Sequence, residues 1–352
     1  MLLTITKYML FKINTLSQLF LLVLILLNCT SQRKKDAADF FLKGNQALNQ
    51  KNYAEALRLY DEAIAKNADF SDAYLNKGIT LLKLGRTNDA HEILSEAIRI
   101  DPTLVQANLV RAEASLNLGR LNDAKADLEQ IEKEYKDSTR FHLVKGNLLD
   151  AQGNSSQAIP EYDRALQLSK TNIEAYVNRG AVYYRMGSYT EARLDFETAV
   201  ALDPAQPQAL NNLGLIASRN HQWQQAIAYF DQVLSRDPSE PYSLNNKGYA
   251  LLQSGKPEEA KVLIERSLEK LPENGYALRN LGMYYQQKGS TQEALKSFNK
   301  AIDIAEPVEL LYGLAGQAYH AQKNMAEACR IWKQGVVLKD SLAIAEAGKY
   351  CR

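Results

Sequence analysis

The chain has 352 residues, 46% of them hydrophobic and 24% charged, with a formal net charge of +1. That balance gives no basic excess with which to hold a nucleic-acid backbone. At this length an ordinary globular chain would divide into two or three domains, but a fixed internal period overrides that count and makes one elongated array the better expectation.

The first 28 residues stand apart from the rest. Lys7 and Lys12 precede an unbroken apolar run of nine residues from Leu19 to Leu27, followed by Asn28 and Cys29. Such a run is too short to cross hydrocarbon, which takes about 20 residues in a helix, and matches a signal-peptide h-region of about 7 to 15. Met9 is an alternative start that keeps Lys12 as the positive end and leaves the mature chain unchanged. Leu26-Leu27-Asn28-Cys29 resembles a bacterial lipobox, with leucine three before the cysteine but asparagine where Gly, Ala or Ser is commoner. The resemblance implies that Cys29 becomes the acylated first residue and holds the protein to a bilayer by several chains, where one alone binds only marginally. The alternative is an ordinary signal peptide cut near Asn28. Residues 29–36 are then a lipidated amino end and short polar tether, in which Arg33, Lys34 and Lys35 are a solvated charge run.

From there the sequence repeats every 34 residues. Gly44, Gly78, Ala112, Gly146, Gly180, Gly214, Gly248, Gly282 and Gly316 form one column. Twelve residues later an unbroken column of alanine runs from Ala56 to Ala328, and four beyond that stands a bulky one: Tyr60, Leu94, Leu128, Tyr162, Phe196, Phe230, Ile264, Phe298, Trp332. Within each row, apolar residues at helical spacing predict two helices. Tyr176, Gly180 and Tyr183 share one face of the first; Ala192, Phe196 and Ala199 share one face of the second. Gly187 between them marks the reversal, and it recurs as Gly85, Gly119, Gly153, Gly255 and Gly289. Asp-Pro closes rows at Pro102, Pro204 and Pro238, since proline cannot continue a helix.

This code resembles the tetratricopeptide repeat. The resemblance implies an all-α, right-handed superhelical solenoid of about nine helix-turn-helix repeats: 37–70, 71–104, 105–138, 139–172, 173–206, 207–240, 241–274, 275–308 and 309–342. Residues 343–352 are expected to add a capping helix over the last exposed face. Row three departs most from the pattern, with Asn108 where Tyr74 and Tyr176 stand elsewhere and no closing proline, so it is expected to be the loosest joint. Row four places Pro160 within or just beyond the first turn of its second helix. Row nine has Lys323 in place of the turn glycine.

The four histidines are scattered, and no HxxxH, CxxC, HExxH or GxxxxGKS spacing proposes a metal, a phosphate loop or a nucleophile. The expectation is a non-enzyme with no cofactor, no metal, no small-molecule substrate and no nucleic-acid partner. Cys329 and Cys351 lie on the last repeat and the cap, and are a candidate disulfide whose alternative is two free thiols. A column of asparagine two residues before the glycine, Asn76, Asn178, Asn212, Asn246 and Asn280, falls on the side that faces the groove in this fold. It is similar to the asparagine ladder of the O-linked N-acetylglucosamine transferase, which implies that these carboxamides hold an extended peptide; the alternative is a local, structural use of asparagine. Asn211, Asn245 and Arg279 at the preceding position, with Tyr242, Tyr249 and Tyr276 on the same helices, extend the candidate surface.

The expected function is recognition: a lipid-anchored scaffold of the bacterial envelope, at the outer membrane facing the periplasm, that binds a partner protein or extended peptide in its groove. A substrate-recognition subunit of an envelope enzyme and a structural spacer are the alternatives.

Overall fold

The computed structural model describes residues 31–304 and 307–351. The signal segment and Cys29 lie outside them. All regular structure among the described residues is helical, and it falls into two compact units that meet in sequence at Asn172 and Ile173.

Unit 1 holds four helix hairpins: α1 (31–49) with α2 (Tyr53–Lys66), α3 (Ser71–Lys83) with α4 (Thr87–Ile100), α5 (Val105–Asn117) with α6 (Leu121–Tyr135), and α7 (Thr139–Ala151) with α8 (Ser155–Leu168). Unit 2 holds five: α9 (Ile173–Arg185) with α10 (Tyr189–Leu202), α11 (Pro207–Arg219) with α12 (Trp223–Leu234), α13 (Pro241–Gln253) with α14 (Pro257–Lys270), α15 (Gly275–Gln287) with α16 (Thr291–Asp303), and α17 (Leu311–Ala321) with α18 (Met325–Val337). The cap, α19 (Ser341–Tyr350), follows and begins two residues before the expected 343.

One expectation at the amino end is corrected. Residues 31–36, expected as a tether, are helical and continue into α1. The segment has no glycine or proline to interrupt it, and Gln32 Nε2 donates to Asp36 Oδ1 one turn on at 2.8 Å, a local pairing that favours helix.

The glycine and bulky columns meet each other. A Cβ built on Gly180 would lie 2.8 Å from Phe196 Cε1, and one on Gly214 would lie 2.5 Å from Phe230 Cε1. The same contact, sixteen residues apart, joins Gly44 to Tyr60, Gly146 to Tyr162 and Gly316 to Trp332. The first helix keeps glycine at these positions because a bulky side chain of the second helix, an aromatic ring in most rows and Leu94 or Ile264 in two others, occupies the space a Cβ would need. The alanine column has its own cause: Ala192 and its counterparts are fully buried beside that ring. Ala192→Leu is expected to cost about 1 to 3 kcal/mol by overpacking, read as a lowered thermal midpoint.

The turns follow the same period. Gly85, Gly119, Gly153, Gly187, Gly255 and Gly289 have φ between 70° and 84°, and the three rows without glycine place Lys51 (φ 59°), His221 (φ 57°) and Lys323 (φ 62°) in the same conformation. A Cβ in that region is strained by about 1 to 2 kcal/mol. Lys323→Gly should thus raise stability by about 0.5 to 1 kcal/mol, net of the entropy glycine loses on folding, in a chemical melt.

Row three shows why it is irregular. Asn108 and Ser115 are completely buried in α5, and both polar atoms of Asn108 and the Ser115 hydroxyl lack hydrogen-bond partners. An unsatisfied buried amide costs about 1 to 3 kcal/mol, so Asn108→Leu is expected to stabilise unit 1 by about that amount in urea titration. Pro160 is the sixth residue of α8, just beyond the first turn.

The C-terminal cap is locked by three devices. Leu310, at the start of α17, is itself in the left-handed region and supplies no side-chain cap; the Asp340 carboxylate takes that role from the turn between α18 and α19. Its Oδ2 accepts from the Tyr312 and Gly313 amides at 3.0 and 3.2 Å while Oδ1 caps α19 through the Ala343 amide at 3.0 Å. Trp332 donates from Nε1 to the Gly313 carbonyl at 3.1 Å, and its ring stacks on Tyr350 at 5.7 Å. A disulfide joins Cys329 of α18 to Cys351 just past α19, with Cα atoms 5.5 Å apart.

Candidate functional site

In unit 2 the first helices of the hairpins, α9, α11, α13, α15 and α17, pack each against the next and so form one face of the unit. Burial raises the pKa of the Tyr184 hydroxyl on α9; Tyr189 adds to the rise, Arg219 opposes it, and Glu309 and Tyr276 add through space. The last two belong to the final hairpins of the unit.

The candidate asparagines on this face are linked to one another. Asn246 donates from Nδ2 to Asn211 Oδ1 of the preceding hairpin at 3.1 Å, and Asn280 donates likewise to Asn245 Oδ1 at 2.8 Å. Asn245 donates to Asn246 Oδ1 at 3.3 Å, which joins the two pairs into one relay across α11, α13 and α15. Ser243 Oγ also donates to Asn211 Oδ1, at 3.3 Å. Asn245 and Asn280 are buried, while Asn211 and Asn246 are half-buried.

The pairing has a rule. On α13 and α15 the asparagine two before the glycine reaches back to the residue three before the glycine in the preceding row. Where that is Asn211 or Asn245 it finds an amide. For Asn212 the preceding residue is Val177, and its Nδ2 turns instead to the Gln208 carbonyl of its own helix at 2.8 Å, leaving the half-buried side chain without a bond to the neighbouring hairpin. In unit 1 Asn76 donates to Asn45 Oδ1 at 2.7 Å, an acceptor shared with the Tyr60 hydroxyl. Asn178 is half-buried on α9. Sequence reasoning treated the two columns as independent contacts; the spacing of 35 residues from one to the other, one more than the repeat, was the available sign that they meet.

Above the relay lies an aromatic surface. Tyr242 and Tyr276 occupy one column of α13 and α15 and are 57% and 44% exposed. Arg279 is buried at the relay's end, with its guanidinium carbon 5.4 Å from the Tyr249 ring centroid and 5.2 Å from that of Tyr276. Trp223 meets Tyr249 edge-on at 6.2 Å. Arg219 lies 4.5 Å over Tyr189 at the other side of the face.

Models of the tetratricopeptide repeat match residues 47–104, 81–148, 146–187, 177–241 and 239–306. The chain is built of tetratricopeptide repeats. The repeat models stop short of α17 and α18, where the structure carries the same hairpin through to the cap. Among solved structures the chain is similar to the APC/C hetero-tetramer Cut9–Hcn1, with a TM-score of 0.63 at 14% identity over 86% of this chain and 73% of that one. It is also similar to PilW, a widely conserved type IV pilus biogenesis factor, at a TM-score of 0.50 and 22% identity over 56% and 91%. PilF of Pseudomonas aeruginosa matches at 0.50 and 18% over 61% and 99%. At these identities the likeness is one of tetratricopeptide fold. No curated protein matches the chain.

Among the described residues no group of three or more His, Cys, Asp or Glu side chains converges on a metal position, and no helix is long and apolar enough to cross a membrane. Some charged pairs, such as Arg179 with Asp195 and Arg111 with Asp127, both at 2.6 Å, join the two helices of one hairpin.

Proposed function

We propose that this tetratricopeptide-repeat protein is a recognition scaffold that binds an extended segment of a partner protein along the first-helix face of unit 2. One observation carries the reading: large side chains suited to contact, Tyr242 and Tyr276, stand exposed at the same position of successive repeats, over a polar layer that is already satisfied. Tyrosine exposed without structural need is characteristic of interface anchors. The amide relay beneath fixes the spacing of the helices, so the face is formed before a partner arrives and little ordering cost remains for binding. In this reading Asn212 is the carboxamide left to meet a peptide backbone, while Asn211, Asn245, Asn246 and Asn280 hold the platform.

The protein acts at a bacterial envelope membrane, held there through Cys29. The apolar run, the lipobox-like segment and the Cys329–Cys351 disulfide, a bond that persists in oxidising compartments, support that placement. Metabolic labelling with an alkynyl fatty acid should mark the wild type and not Cys29→Ala; a label on both removes the anchor.

A photo-crosslinking residue in place of Tyr242, compared with one in place of the exposed Glu269 on α14, tests the groove. A discrete crosslinked partner at Tyr242 and none at Glu269 is expected. Capture at both positions, or at Glu269 alone, would move the site off this face.

A further inference from the structure

The amide relay ends on a cation without an anion. Arg279 is 8% exposed. Its Nε and Nη2 donate to Asn280 Oδ1 at 3.1 and 2.8 Å, and Nη1 donates to the Glu309 carbonyl at 2.9 Å. These acceptors are neutral, and among the described residues no carboxylate forms an ion pair with the guanidinium. Burial lowers its pKa, and Tyr249, Tyr276, Glu309 and Asp340 oppose that only through space. A guanidinium has five N–H donors, so two remain beyond the three bonds described. A desolvated cation lacking a counter-ion is destabilising until one is supplied.

The period of the face adds a second constraint. Packed helices stand about 8 to 10 Å apart, so Tyr242 and Tyr276, one repeat apart, present rings at about that interval. A β-strand brings a side chain back to the same face every two residues, about 6.6 Å, and falls out of step. A polyproline II segment turns once in three residues, about 9.3 Å, and stays in register with the repeats.

We propose that unit 2 receives a partner segment in the polyproline II conformation that carries an acidic side chain, whose carboxylate pairs with Arg279 between Tyr249 and Tyr276. Residues at three-residue intervals from that acid lie along Tyr276 and Tyr242. The carboxylate belongs to an Asp or Glu within the segment, so that residues on both sides of it run along the first-helix face. This inference rests on the groove reading above and specifies the chemistry of its occupant.

The test uses full-length protein and two acetylated, amidated peptides, one of four Pro-Pro-Glu units and one of four Pro-Pro-Gln units, with binding followed by calorimetry. The glutamate peptide is expected to bind about tenfold or more tightly than the glutamine peptide, and replacing its prolines with glycine should abolish most of that binding. Tyr242→Ala, at an exposed position, should weaken the glutamate peptide several-fold without altering the melt. Arg279→Met should remove the preference for glutamate, and the glutamine peptide keeps the test decisive if that variant does not fold. Equal binding of the two peptides, or binding of neither, overturns the inference; a partner crosslinked at Tyr242 would then still uphold the groove. No capture at Tyr242 overturns both.

Discussion

Arg111→Met is expected to destabilise unit 1 by about 3 kcal/mol. Asp127 on α6 is 2% exposed, and its carboxylate is held by Arg111 Nε and Nη2 at 2.9 and 2.6 Å. Asp127 and Arg111 lie sixteen residues apart, the interval that brings the glycine and bulky columns together, so the pair crosses the inside of one hairpin. Removing the guanidinium leaves a carboxylate enclosed by protein without the partner that holds both of its oxygens. The loss is one of unpaired burial more than of attraction, which gives the experiment a second arm. The double variant Arg111→Met, Asp127→Leu should recover most of the loss, because two apolar side chains of similar size need no compensation. Urea titrations of both variants check this; a double variant as unstable as the single one would show that the pair is required for more than charge balance.

Cys351→Ser is expected to be comparably damaging at the other end of the chain. The disulfide closes a segment of 22 residues in sequence separation, and cross-links of this length stabilise by about 3 kcal/mol. Since repeat arrays derive stability from neighbours, the terminal hairpin has only one neighbour plus its cap. Loosening α19 would uncover Trp332 and release the Asp340 carboxylate from the two helix ends it caps. Hydrogen exchange in the Cys351→Ser variant should therefore accelerate first in α17 and α18, while α9 to α14 keep their protection. The same pattern is expected on adding reductant to the wild type. Uniform acceleration across unit 2 would mean that the staple acts globally.

The fold was legible because its rule is periodic. Gly180, Ala192 and Phe196 recur at a fixed spacing, and the structure gives each column one packing cause. Less legible was anything that depends on what one row offers the next. Asn246 and Asn212 occupy equivalent positions with the same chemistry, yet one is bonded across the helix layer and the other returns to its own backbone. The difference is the residue in the preceding row, Asn211 in one case and Val177 in the other. Two left-handed turn residues, Lys51 and His221, were also missed, since glycine advertises that conformation by type and lysine or histidine only by register. The start of α1 escaped for a simpler reason: a polar run reads equally as tether or as the exposed turn of a helix.

The sixteen-residue contact within each hairpin bears on how the chain acquires its structure. The ring that fills the notch at Gly44, Gly146 or Gly214 comes from the same row, so the core contact of each repeat closes a short loop. Low sequence separation between partners makes for rapid folding, and each pair can form as soon as its own 34 residues have left the ribosome. Nothing downstream is needed to complete it. The chain can thus assemble hairpin by hairpin from its amino end, and only the last row must wait for its oxidised cap.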